Sequence, residues 1–91
     1  MNVPMETHLA VLVNIQYADQ GSPDEALEEY REIDIRDPDC SKLADEIDVI
    51  LGSDITDGEL AELAARLGQY SPIYEFNYRE YLKDVLQLIR G

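Results

Sequence analysis

Apolar positions recur along this chain at helical spacing. From Met5 to Ala18, Leu9, Leu12, Val13, Gln16 and Tyr17 follow an i, i+3, i+4, i+7, i+8 pattern. That spacing predicts a helix with one apolar stripe, ended by Gly21. The β-branched Val11, Val13 and Ile15 leave a strand as the alternative for this segment. Ser22-Pro23-Asp24-Glu25 then reads as a helix start. Ser22 can cap, Pro23 suits the first helical position, and Glu25 completes a capping box. This second helix runs to about Ile33, with Ala26, Leu27, Tyr30 and Ile33 inward. Asp34–Pro38 breaks it. Asp37 before Pro38 is read as the cap of a third helix, with Leu43, Ala44, Ile47, Ile50 and Leu51 as its stripe and Gly52 as its C-cap. Thr56-Asp57-Gly58-Glu59 repeats the capping box ahead of Leu60, Leu63, Ala64 and Leu67, and Gly68 closes the fourth helix. The stretch Gln69–Phe76 reads as an ordered loop. Asn77 caps a last helix whose inward residues are Tyr81, Leu82, Val85, Leu86 and Ile89. Five short amphipathic helices on short loops predict an all-α fold, a compact bundle.

The chain has 91 residues, enough for one domain spanning 1–91. A chain of this size buries only roughly 60–65% of its unfolded surface, so its core is thin. No apolar run approaches the ~20 residues needed to cross a bilayer. The first six residues carry no basic group, unlike a secretory signal. A cytoplasmic location and a free monomer are the expectations.

Charge narrows the function classes. Lys+Arg number 7 against 20 Asp+Glu, a formal net charge of -13. Such a surface repels nucleic-acid phosphates and anionic lipid heads, so neither direct nucleic-acid binding nor membrane binding is expected. A basic protein partner is. The acids concentrate in the second helix, at Asp24, Glu25, Glu28, Glu29 and Glu32, and again between Asp34 and Asp48.

Catalytic and cofactor chemistry find little support. His8 is the only histidine and reads as a solvated or half-buried residue. Cys40 is the only cysteine, which excludes an internal disulfide and a cysteine-based zinc site. Its acidic neighbours Asp37, Asp39 and Asp45 raise a thiol's pKa, so it reads as a structural thiol. Asp54 to Glu59 lacks the alternating ligand set of a calcium loop. Ser53 precedes Asp54, the reverse of the order around a carrier-protein serine. No glycine-rich phosphate loop is present. The chain is read as a non-enzyme with no cofactor and no metal. Six tyrosines against one Phe and no Trp favour an interface role, because Tyr pairs a large apolar ring with a polar tip.

Several pieces occur in a suggestive order. Tyr17-Ala18-Asp19-Gln20 ends the first helix and Ser22-Pro23-Asp24-Glu25-Ala26-Leu27 opens an acidic one. Ala44-Asp45-Glu46-Ile47, Glu59-Leu60 and Leu67-Gly68 follow, and the chain closes on Tyr78-Arg79-Glu80-Tyr81-Leu82. From Leu9 to the C-terminus this resembles the small helical immunity proteins of bacterial contact-dependent growth inhibition systems. It departs from them after the first helix, where Tyr17-Ala18-Asp19-Gln20 stands in place of a cluster that in family members often carries His and Trp. The resemblance implies a protein that binds and neutralises the C-terminal toxin domain of a contact-delivered effector in the cytosol. Many such toxins are nucleases with basic clefts. The expected partner-binding residues are Asp24, Glu25, Glu28, Glu29, Glu32 and Asp34, with Tyr30, or Tyr70 and Tyr74, as aromatic anchors. An acidic nucleic-acid mimic, or a regulatory adaptor on a basic host protein, is the alternative.

Overall fold

The computed structural model describes residues 7–19 and 21–91. Five α-helices follow in order: α1 His8–Asp19, α2 Pro23–Ile33, α3 Ser41–Leu51, α4 Asp57–Gly68 and α5 Tyr78–Arg90. No strand occurs among the described residues. The expected all-α bundle therefore forms, and the helix alternative holds for α1. The expected start at Met5, the first six residues as a whole, and Gln20 lie outside the described residues.

Local sequence sets most helix ends. The Glu25 carboxylate accepts from the Ser22 N–H at 3.1 Å, with Pro23 as the first helical residue of α2. At α4 the box is reciprocal. Thr56 Oγ1 accepts from the Glu59 N–H at 3.2 Å, and Glu59 Oε1 accepts from the Thr56 N–H at 2.9 Å. Asn77 Oδ1 accepts from the Glu80 N–H at 3.1 Å to start α5. Each such cap satisfies amides that a helix leaves without internal partners.

Two ends differ from the sequence reading. The third helix was expected to start at Asp37-Pro38, but α3 begins at Ser41. Residues 34–40 instead form successive tight turns, with the Asp37 N–H on the Asp34 carbonyl and the Cys40 N–H on the Asp37 carbonyl. Cys40, at the N-cap, is left-handed with φ 60. Asp37 still caps the helix, from further away: its carboxylate accepts from the amides of Lys42 at 3.2 Å and Leu43 at 3.0 Å. At the end of α4 the left-handed residue is Gln69, with φ 60, not Gly68. Gly68 serves another purpose. A Cβ there would meet Cε2 of Tyr70 at 2.2 Å, so only glycine lets that ring lie against the helix end.

Each of α2, α3 and α4 packs against both α1 and α5. The Cα radius of gyration, 12.0 Å, is close to the ~12 Å of a fully folded chain this long. Leu12, Tyr30, Leu43, Ile47 and Val85 are completely buried at the centre. Burying an aliphatic side chain of this size stabilises by roughly 1.5–3 kcal/mol. Because α1 touches three other helices, its buried surface is wider than one stripe: Ile15 joins Leu9, Leu12, Val13 and Gln16. Tyr17, expected inward, is 45% exposed, and Ile33, expected inward at the end of α2, is 54% exposed. On α4 the buried face is Leu60, Ala61, Ala64 and Ala65, whose small side chains allow close approach, while Leu63 and Leu67 are half-buried. No helix among the described residues is long and apolar enough to cross a membrane.

Candidate functional site

The core holds a polar network that no local spacing foretold. His8, in the first turn of α1, is buried. Its Nδ1 lies 2.8 Å from Asp34 Oδ2 and 2.9 Å from the Tyr30 hydroxyl. The Tyr30 hydroxyl donates to Asp37 Oδ2 at 2.8 Å. Having donated its only proton to Asp37, it can only accept from His8. Asp34 is also an acceptor, so both neighbours place the imidazole proton on Nδ1.

The two carboxylates are tuned by this setting. Hydrogen bonds from Arg36 hold Asp34 far below the ordinary carboxylate range, against the opposing pull of burial. The Arg36 guanidinium reaches it through Nε at 2.8 Å and Nη2 at 3.0 Å. For Asp37 burial pushes upward, but hydrogen bonds from Tyr30, Leu43 and Lys42 outweigh it and keep the group below its usual value. Burial, then the bond to Asp37, pushes the Tyr30 phenol far above its normal range. Burial likewise raises the Cys40 thiol, the state of an unreactive cysteine. Nearby, Glu46 of α3 reaches across to α1, where its carboxylate accepts from the amides of His8 at 3.3 Å and Leu9 at 2.9 Å. It thereby caps α1 from another helix. The network ties α1, α2, α3 and the 34–40 turn together.

This network corrects two expectations. The sequence predicts Tyr30 as a partner-binding anchor and Asp34 as a contact. Tyr30 is fully buried and Asp34 is 3% exposed. Both side chains are committed to the interior and hold the turn in place.

The other expected contacts lie outward. Asp24, Glu25, Glu28 and Glu32 are exposed and Glu29 is half-buried. Glu25 also serves the capping box. Among the described residues none of these five acids forms an ion pair. The basic residues that do are engaged elsewhere, Arg36 on Asp34, Arg79 on Asp57, and Arg90 on Asp45 and Asp48. A shallow groove of about 240 Å³ runs between α1 and α2, floored by Ile15 and Ala26 and edged by Asp19, Glu25 and Glu29. A hydrogen bond shared with Asp19 raises the Glu29 carboxyl above its normal value, a sign of crowded negative charge.

The tyrosines form a second outward feature. Tyr17 and Tyr70 stack with centroids 4.1 Å apart and planes 4° from parallel. The Tyr70 hydroxyl meets that of the buried Tyr78 at 3.0 Å. Tyr70 is therefore half-buried and pinned, whereas Tyr74 is 59% exposed and donates to Glu62 Oε2 at 2.9 Å. Arg79, beside Tyr78, bonds Asp57 at 2.8 Å and the Ile55 carbonyl at 2.6 Å. Among the described residues, no group of three or more His, Cys, Asp or Glu side chains could hold a metal ion.

No family model, no curated protein and no solved structure matches the chain.

Proposed function

We propose that this chain is an immunity protein that binds the toxin domain of a contact-dependent growth inhibition effector and neutralises it. The observation that carries the reading is the outer face of α2, where Asp24, Glu28 and Glu32 are exposed and form no ion pair among the described residues. The order of sequence pieces shared with the immunity family supports the same reading.

In this reading the toxin is a nuclease with a positive cleft. The α2 face lies over that cleft in the place of a phosphate backbone. Long-range attraction from a -13 chain speeds the encounter, and like-charge repulsion excludes acidic competitors. Tyr74, exposed beside Glu62, is an aromatic contact at the edge of the surface. The protein acts in the cytosol as a monomer that pairs one-to-one with the toxin.

Co-expression with the toxin domain encoded beside its gene tests this. The expected result is a co-purifying complex and restored growth of the toxin-expressing cells. Absence of both would contradict it and leave an acidic adaptor for a basic host protein.

A further inference from the structure

Ile33 and Ile35 are 54% and 81% exposed, while Asp34 between them is 3% exposed. Single exposed hydrophobics are ordinary on protein surfaces. This pair differs in how its backbone is held. The Asp34 N–H bonds the Tyr30 carbonyl at 2.8 Å, and the Asp37 N–H bonds the Asp34 carbonyl at 3.2 Å. The Asp34 carboxylate accepts from His8 and from the Arg36 amide, and the Asp37 carboxylate from Tyr30 and the first amides of α3. The turn is fixed on both sides of Ile35 by buried polar groups. A side chain displayed on a fixed backbone loses little conformational freedom on binding, which makes it an efficient anchor.

The pair adjoins the acidic face. Ile33 lies one helical turn beyond Glu29, and Glu32 is its neighbour on α2. We propose that Ile33 and Ile35 are the apolar anchor of the docking surface, received by an apolar pocket on a basic protein whose lysines and arginines face Glu28, Glu29 and Glu32. Charge decides against a second copy of the chain as the occupant, since two -13 surfaces would be brought together at their most acidic helix. The proposal rests on the reading of the partner as a basic toxin domain, and adds the hydrophobic centre of the contact.

The test measures binding of the purified toxin domain to the wild type, to Ile33→Ala/Ile35→Ala and to Ile35→Ser, at several salt concentrations, with melting curves and sedimentation. Both variants are expected to keep the wild-type melting temperature and association rate but to dissociate about tenfold faster or more. Unchanged dissociation would overturn the anchor while leaving the basic-partner reading intact. A wild type that fails to bind the toxin domain at all would overturn both. A wild-type dimer that the double variant dissolves would assign the pair to self-association and overturn the proposal.

Discussion

Nδ1 of His8 lies 2.8 Å from Oδ2 of Asp34, joining the first turn of α1 to the residue that caps the end of α2. Around that contact Tyr30 and Asp37 complete a buried chain of hydrogen bonds, so the 34–40 turn is set from inside the protein. The turn displays Ile35, and Ile33 is exposed just before it at the acidic helix's end.

The Tyr30 and Tyr81 hydroxyls should respond oppositely to one chemical change. The Tyr30 hydroxyl bonds an ionised Asp37, whereas the Tyr81 hydroxyl is buried with no partner among the described residues, which pushes its phenol up to about 12. Tyr30→Phe is expected to cost about 1.5–3 kcal/mol, as for a bond to a charged group. Tyr81→Phe is expected to cost nothing, or to gain up to about 1 kcal/mol, by removing an unsatisfied buried group. Urea denaturation of both variants checks the pair. Equal losses would contradict it.

Acid should weaken the network. Asp34 and Asp37 have depressed pKa values in the folded state. Each therefore contributes stability that is present above its unfolded value of roughly 3.9 and is lost as pH falls toward the folded value. The stability difference between wild type and Asp34→Asn isolates this effect from general charge repulsion. It is expected to be constant from neutral pH to about pH 5 and to shrink below pH 4. A difference that stays constant down to pH 2 would contradict the role given to Asp34.

Gly68→Ala reverses the usual expectation for a helical glycine. An ordinary helix-interior glycine gains up to about 1 kcal/mol on replacement by alanine. Here the new Cβ would overlap the Tyr70 ring, which is held by its stack on Tyr17 and its bond to Tyr78. A loss of about 1–3 kcal/mol is expected, together with a change in the ring-proton shifts of Tyr17. A gain in stability would show that the stack yields freely.

Glu46→Ala removes the cap that α3 lends to α1. Two amides, of His8 and Leu9, lose their acceptor. The expected cost is about 1–2 kcal/mol, with hydrogen exchange accelerated most in the first turn of α1. Uniform acceleration across the bundle would argue against a capping role.

What the sequence disclosed and what it hid divide along physical lines. The five helices and the caps at Ser22, Thr56 and Asn77 are local features, written in residues three or four apart. The acidic face of α2 is legible for the same reason. The network is not, because it joins His8 to residues 22 and 26 positions away. One signal was available. Tyr30 falls on the inward stripe of α2, and a buried hydroxyl needs a partner. Asp34 and Asp37, in the turn just after the helix, are the acids within reach. Ile33 continues the helical stripe by spacing, yet as the last residue of α2 it is exposed, while Tyr30 one position of the stripe earlier is buried. Three further residues serve the fold in ways that spacing alone does not disclose: Glu46 caps α1, Gly68 seats Tyr70, and Arg79 ties α5 to the start of α4.

The most direct measurement is the salt dependence of association with the toxin domain, for the wild type and for Glu28→Ala/Glu29→Ala/Glu32→Ala. The wild type is expected to associate quickly at low salt and to slow steeply as salt rises, because the outer face of α2 steers the encounter. The triple variant is expected to associate more slowly with a much flatter salt dependence. Identical slopes and rates for the two proteins would contradict the placement of the partner on α2.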